Sequence, residues 1–162
     1  MPSGRGYNKL QHYHEKFGKQ NVDRMVPYMK SVGEEYGIKF SYGGHVGNTF
    51  NSHRLIWKAR EDGGSDLQDK MVESLFKAYF EEEKSLGETE VLKKCCEDVD
   101  NMDCASILED ESTGHEEVLQ EMEYFKQKYS ISGVPFFIVD GKYELSGAQP
   151  PEAFLEIFDK LK

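Results

Sequence analysis

The segment from residue 132 to residue 162 constrains the fold of this chain more than any other. It opens with Val134-Pro135 and a run of β-branched and aromatic residues, which favours a strand with proline at its start. Asp140-Gly141 follows and favours a tight hairpin, because both turn positions need a positive φ. Residues 142–145 alternate as a return strand. Pro151 suits a helix start, and the apolar residues after it recur at helical spacing: Phe154, Ile157, Phe158 and Leu161.

Upstream of residue 130 the apolar residues recur mainly at helical spacing. Residues 38–42 alternate as a short strand or extended segment, and a helix then begins near Asn48 or Thr49 and stops at Gly63-Gly64. Thr113 and Glu116 have the spacing of a capping box at the start of a further helix. No repeat, low-complexity tract or linker divides the chain. We therefore expect one domain over residues 1–162, with a helical insert over about 48–128 and a closing hairpin and helix over 130–162.

The charge pattern argues against a nucleic-acid partner, and the hydropathy pattern argues against a membrane partner. The chain has 30 acidic and 20 basic side chains, for a net charge of −10, and its lysines are interspersed with acidic residues. A nucleic-acid binder needs a basic stripe to neutralise phosphates. No run of 18 apolar residues is present, and the first residues lack the apolar core of a secretory signal. We expect a cytoplasmic protein.

The three cysteines are Cys95, Cys96 and Cys104. An odd number in a chain without a signal favours free thiols in a reducing compartment over a disulfide framework. A bridge between the neighbours Cys95 and Cys96 would strain the peptide between them. The pattern predicts that Cys95 and Cys104 face a core and that Cys96 faces outward.

The run Asn48-Thr49-Phe50-Asn51-Ser52-His53-Arg54-Leu55 holds a cluster of polar residues at a helix start. For His53 we favour a structural hydrogen-bonding role, since buried polar groups are normally paired. Arg54 with Asn48 is either part of the same structural motif or a site for a small acid such as a glutathione carboxylate. The other histidines are scattered and predict no metal site, because such a site needs at least three ligands.

Two motifs resemble those of one family. The run Ser132-Gly133-Val134-Pro135-Phe136-Phe137, with Asp140-Gly141 and Ser146-Gly147-Ala148-Gln149-Pro150, resembles the ending of the FrnE-like branch of the DsbA family. The run 48–55 resembles the second hallmark of that branch, at the start of its inserted helical domain. Relatives of the branch include the 2-hydroxychromene-2-carboxylate isomerases and the kappa-class glutathione transferases. The resemblance covers the chain from about Tyr13 to the end.

The resemblance implies an α/β, thioredoxin-like fold with an inserted all-helical domain, so the chain is predominantly helical. Family members begin with a strand, a Cys-x-x-Cys at a helix start and a second strand. Residues 1–20 of this chain have no cysteine and no strand-like apolar run. We therefore expect a truncated or catalytically degenerate member that lacks the N-terminal β-α-β, runs no dithiol cycle of its own and has no assigned catalytic residue.

The resemblance also places a binding edge at the proline. A cis bond before Pro135 would leave the backbone groups of Val134 unpaired at the end of the sheet, where an extended peptide or a thiol ligand could pair with them. We assign substrate binding to Ser132, Gly133, Val134 and Pro135. No metal or resident cofactor is expected, with glutathione the one small molecule considered.

Two other functions remain open at the level of sequence. One is a glutathione-dependent isomerase or transferase, which needs no Cys-x-x-Cys. The other is a non-catalytic interaction protein, in which a homodimer completes the sheet because an exposed strand edge invites pairing with another chain.

Overall fold

The computed structural model describes residues 4–99, 102 and 104–161. Helices carry most of that backbone, and the described strands form two separate antiparallel pairs. In chain order the elements are β1 (Tyr7–Asn8), α1 (Lys9–Phe17), α2 (Lys19–Glu35), β2 (His45–Val46), α3 (Phe50–Phe80), α4 (Thr89–Glu97), α5 (Cys104–Glu109), α6 (His115–Tyr129), β3 (Phe136–Val139), β4 (Tyr143–Ser146) and α7 (Pro151–Lys160). None of the helices in the described ranges is long and apolar enough to cross a membrane.

The chain divides into two compact units, the first running to Val118 and the second starting at Leu119. The first unit holds the β1–β2 pair and helices α1 to α5. The second holds the β3–β4 hairpin and α7. The cluster of buried apolar side chains belongs to the first unit, and in the described part of the second unit Ile157 is buried. The bounds of 48–128 expected for a helical insert stay a prediction.

The main core of the first unit lies among α3, α4 and α5. Its apolar side chains recur at helical spacing along α3 and are completed by residues of the two shorter helices: Leu55, Ala59, Leu67, Met71, Leu75, Ala78, Leu92 and Ile107. Burying a leucine, isoleucine or methionine side chain contributes about 1.5–3 kcal/mol to stability. The predicted stop at the glycine pair is confirmed, since Gly63 and Gly64 are not helical and Gly64 has a φ of +68°. Glycine adopts that conformation without steric cost.

The C-terminal end of α3 has a hydrogen-bond partner for each of its last four carbonyl groups. Backbone N–H groups of the following loop satisfy the first two. The Lys9 ammonium donates to the carbonyl oxygen of Tyr79 at 2.6 Å, and the Ser41 N–H donates to that of Phe80 at 2.7 Å. Helix ends leave these carbonyls unpaired, so α1 and the segment at 38–42 are joined to α3 by the bonds that the helix cannot make itself.

The cysteines correct one expectation from the sequence. Cys96 and Cys104 form a disulfide with a Cα–Cα distance of 6.1 Å, which joins α4 to α5. The expectation of free thiols is therefore wrong for this pair, and so is the outward direction predicted for Cys96, which is buried like the other two. Cys95 remains a free, buried thiol. The prediction failed because free thiols were inferred from an odd cysteine count, whereas the bridge depends on how two helices pack.

Thiol titration tests this pairing directly. Without reductant, the unfolded chain is expected to show one reactive thiol, and after reduction it is expected to show three. In the folded protein Cys95 should react slowly, because it is 3% exposed and burial raises the pKa of its thiol. Cys95→Ser should remove the single thiol of the unreduced chain. Three reactive thiols in unreduced, unfolded protein would contradict the assignment.

The hairpin of the second unit forms as its local sequence predicts. β3 and β4 pair antiparallel with Phe137 opposite Leu145. Asp140 and Gly141 have φ values of 54° and 66°, and Lys142 N–H donates to the Val139 carbonyl oxygen at 3.1 Å. α7 packs on this hairpin through an edge-to-face contact between Phe154 and Phe137, whose ring centroids are 4.9 Å apart.

The capping box expected at Thr113 is wrong. α6 begins at His115, and the Thr113 hydroxyl donates backward to the carboxylate of Asp110. The Ser112 N–H and hydroxyl donate to that carboxylate as well, and together these bonds hold its pKa well below the usual range. Gly114 follows with a φ of +73° and lies against Trp57, where an added Cβ would come within 2.6 Å of the ring.

Candidate binding site

The four residues predicted to bind substrate form an exposed turn before β3. Ser132, Gly133, Val134 and Pro135 are all exposed, and Val134 is 89% exposed. The peptide bond between Val134 and Pro135 is cis. An apolar side chain with this exposure contributes nothing to the core of the unit, so it is available for contact with another molecule.

The edge of β3 that faces away from β4 has no strand beside it among the described residues. The Pro135 carbonyl accepts a hydrogen bond from the Gly147 N–H at 2.8 Å. Pro135 and Gly147 are therefore a hydrogen-bonded pair of the antiparallel hairpin. Backbone groups alternate in direction along an antiparallel strand. The N–H groups of Phe136 and Ile138 therefore point to the unpaired edge, and an extended chain could bond to them.

Arg54 lies in the first unit and is 1% exposed. Its Nε donates to the Thr113 carbonyl oxygen at 2.8 Å, and its Nη2 donates to those of Ile107, at 2.8 Å, and Asp110. Its Nη1 donates to the amide oxygen of Asn51 at 3.1 Å. These acceptors include carbonyls at the C-terminal end of α5, where a cation is stabilised by the helix dipole. The guanidinium thus holds the α5–α6 connection on α3.

Asn48 and His53 are placed differently from Arg54. The amide oxygen of Asn48 accepts from the Phe50 N–H at 2.9 Å, in a local turn just before α3. Asn48 also lines a cavity of about 230 Å³ with His115, whose ring lies 4.8 Å from that of Phe50. His53 is an exposed residue as a whole, although partial burial of its imidazole lowers the pKa of that ring. Its side chain makes no hydrogen bond within the described ranges, so the structural hydrogen-bonding role expected for it is not seen there. Arg54 alone of the three is deeply buried.

Another cavity, of about 430 Å³, was not expected from the sequence. It lies in the first unit and is lined by aromatic rings together with the buried Lys9. Lys9 stands in a polar stretch of the sequence, which gave no sign that its side chain is covered. The signal that could have found the cavity is the aromatic spacing of Phe76, Tyr79 and Phe80 on α3, with Phe40 and Tyr42 in the alternating segment.

Metal-ligating side chains do not converge in the part of the chain that the structure describes. No group of three or more His, Cys, Asp or Glu residues there could hold a metal ion.

The fold defines the chain as a thioredoxin-like protein of the DsbA type, predominantly helical and with few strands. The family model of the DSBA-like thioredoxin domain matches residues 7–159. The chain therefore belongs to that family, as the two sequence motifs predicted.

The crystal structure of a probable DsbA oxidoreductase from Streptomyces coelicolor is similar to this chain, with a TM-score of 0.81 and 23% sequence identity. The match covers 93% of this chain and 65% of that protein, so this chain spans less than two thirds of its length. At this identity the likeness concerns the fold. Among curated proteins no sequence match is significant.

Proposed function

We propose that this chain is a substrate-binding member of the FrnE-like branch of the DsbA family, which holds an extended peptide or a thiol compound at the turn 132–135 and along the free edge of β3. None of its three cysteines stands in a Cys-x-x-Cys motif. The proposal therefore assigns binding to this chain and no dithiol cycle. The observation that carries it is the edge of β3 that has no partner strand in the described part of the chain, with the exposed Val134 at its start.

When an extended peptide adds to a sheet as a further strand, backbone hydrogen bonds supply the affinity and flanking pockets for its side chains supply the selectivity. The outward N–H groups of Phe136 and Ile138 offer two donors at the spacing of an extended chain. Val134 and Phe137 are both apolar and both exposed, so this edge presents apolar side chains to a partner. This pattern favours an unfolded, apolar segment over a folded or strongly charged partner.

A second copy of this chain would compete for the same edge, because an exposed strand pairs with any strand of suitable register. Self-association through β3 is thus the dimer form of the same proposal. A peptide that binds the β3 edge is expected to displace the second copy of the chain.

The test is a titration of the isotopically labelled chain with a short unstructured peptide that carries a central S-methylcysteine between apolar residues. The backbone amide resonances of Gly133, Val134 and residues 136–138 are expected to shift in a saturable way, Pro135 having no N–H. Val134→Asp should weaken binding by at least about tenfold, which is about 1.4 kcal/mol, because it puts a carboxylate where the apolar edge begins. Leu155→Asp is the matched control: Leu155 is also strongly exposed in the second unit, and its replacement should change affinity by less than about twofold.

Further arms separate the alternatives. Glutathione alone should bind more weakly than the peptide if the edge recognises extended backbone, and stronger binding of glutathione would favour the isomerase or transferase branch. Light scattering with and without peptide reports self-association. Shifts spread evenly over the second unit, or equal losses in the two aspartate variants, would refute the proposed edge.

A further inference from the structure

The aromatic cavity beside Lys9 in the first unit has the character of a preformed small-molecule site. It lies between α1, α2, the segment 38–42 and the last turns of α3, and its volume of about 430 Å³ falls in the range of ligand pockets. The rings in its wall support one another edge to face. The centroids of Tyr13 and Tyr42 are 5.8 Å apart, as are those of Phe40 and Phe80. Such contacts fix ring positions before any ligand arrives.

Lys9 brings a buried positive charge to this aromatic wall. It is 1% exposed, and its Nζ lies 2.6 Å from the carbonyl oxygen of Tyr79 and 3.9 Å from the centroid of the Tyr79 ring. Within the described residues no carboxylate lies within ion-pair distance of this nitrogen. The carboxylate of Glu83 lies beyond ion-pair distance and accepts a hydrogen bond from the Ser41 hydroxyl, yet its charge still acts on Lys9 and raises the pKa of that ammonium, against the larger effect of burial.

A buried ammonium without a paired anion is unfavourable, because burial removes the water that stabilises its charge. The same burial lowers the pKa of Lys9. Two of its neighbours stay neutral hydrogen-bonding groups, since burial raises the pKa of both Tyr42 and Tyr79. The interior of the cavity therefore combines apolar walls, neutral hydroxyls and one cation that has no carboxylate within ion-pair distance among the described residues.

We propose that this cavity binds a small amphipathic carboxylic acid, with its apolar body against the aromatic wall and its carboxylate paired with Lys9. The bound carboxylate would form the direct ion pair that the buried ammonium lacks among the described residues, and a hydrogen bond between two ionised groups is stronger than one between neutral groups. An amine would meet repulsion from Lys9. A neutral ligand of the same shape would gain the apolar contact alone.

The charged groups at the mouth of the cavity are engaged elsewhere or solvated. The Glu81 carboxylate accepts a hydrogen bond from the Lys39 N–H at 3.1 Å, and Lys77 lies 3.8 Å from the carboxylate of Glu82. Glu73 is exposed to water. Solvent screens these exposed charges, so the buried ammonium decides the preferred ligand charge. The site is independent of the β3 edge, and either proposal can fail without the other.

Calorimetric titration of the whole chain tests the proposal with three probes that share one phenylpropyl body: hydrocinnamate, its amide hydrocinnamide and phenylpropylamine. Hydrocinnamate is expected to bind saturably at one site per chain. The amide should bind at least about tenfold more weakly, and the amine should give no saturable heat. Equal affinity for acid and amide, tighter binding of the amine, or no saturable heat with hydrocinnamate would overturn the proposal.

Variants locate the site. Lys9→Met should abolish the preference for acid over amide, with circular dichroism as the check on folding. Phe76 lines the cavity and is 53% exposed, so Phe76→Glu and Phe76→Lys should fold even where the Lys9 variant does not. The glutamate variant should lose hydrocinnamate binding and the lysine variant should keep it. Tyr28→Glu places the same charge on an exposed ring of α2 outside the cavity and should leave affinity unchanged; a loss there as large as for Phe76→Glu would refute the assigned cavity.

Discussion

Arg54→Ala is expected to lower the free energy of unfolding by about 3–5 kcal/mol, since each buried polar group left without a partner costs about 1–3 kcal/mol. The substitution removes the donors to the carbonyl groups of Thr113, Ile107 and Asp110 together. These carbonyls belong to one connection, so their losses should not be fully additive. Chemical denaturation followed by circular dichroism measures the change.

Two control variants separate the geometry of Arg54 from its charge. Arg54→Lys keeps the charge but replaces the planar fork with a single ammonium, so we expect a loss of about 2–3 kcal/mol. Arg60→Ala removes an exposed arginine from the same helix and should change stability by less than about 0.5 kcal/mol. If the lysine variant were as stable as the native chain, charge at this position would suffice and the hydrogen-bond fork would have no role.

Arg54 shows what a sequence can and cannot predict about a buried cation. Its place in the run 48–55 marked it as special, yet the residues alone allowed both a structural role and an acid-binding role. Its partners are mostly backbone carbonyls more than 50 positions away. Backbone acceptors carry no residue-type signal, so only the packing of α5 on α3 could decide between the two. Lys9 was missed for the same reason, since its acceptor is the carbonyl of Tyr79.

The hairpin at β3 and β4 could be predicted because its causes are local. The positive φ values at Asp140 and Gly141 follow from turn chemistry within two residues, and the stop at Gly63 and Gly64 follows from the freedom of glycine. The β1–β2 pair was not predicted, since two residues on each strand are too few for an alternating pattern. Family membership was predictable from the two motifs, and the aromatic cavity was not, because it needs four separate segments to meet.

Loss of the bond between Cys96 and Cys104 is the second change for which we expect a large effect. The two residues are eight positions apart, and closing a loop of this size is worth roughly 2–3 kcal/mol. The melting temperature should therefore fall by roughly 5–10 °C on reduction, given the usual ratio between the shift in melting temperature and the loss of unfolding free energy in a chain of this size. The effect should concentrate on α4 and α5, which the bond joins, and amide hydrogen exchange would locate it there.

A double variant is needed to test this bond, because of the neighbouring thiol. In Cys96→Ser alone, Cys95 could form a new bridge with Cys104 and hide the loss by thiol–disulfide exchange. Replacing Cys96 and Cys104 together by serine avoids that route and leaves Cys95 in place. The double variant should melt at the temperature of the reduced native chain and should not respond to reductant. Cys95→Ser, which keeps the disulfide, should still lose stability on reduction. A native chain whose melting is insensitive to reductant, although thiol titration shows that the bond has opened, would mean that packing alone holds α4 against α5.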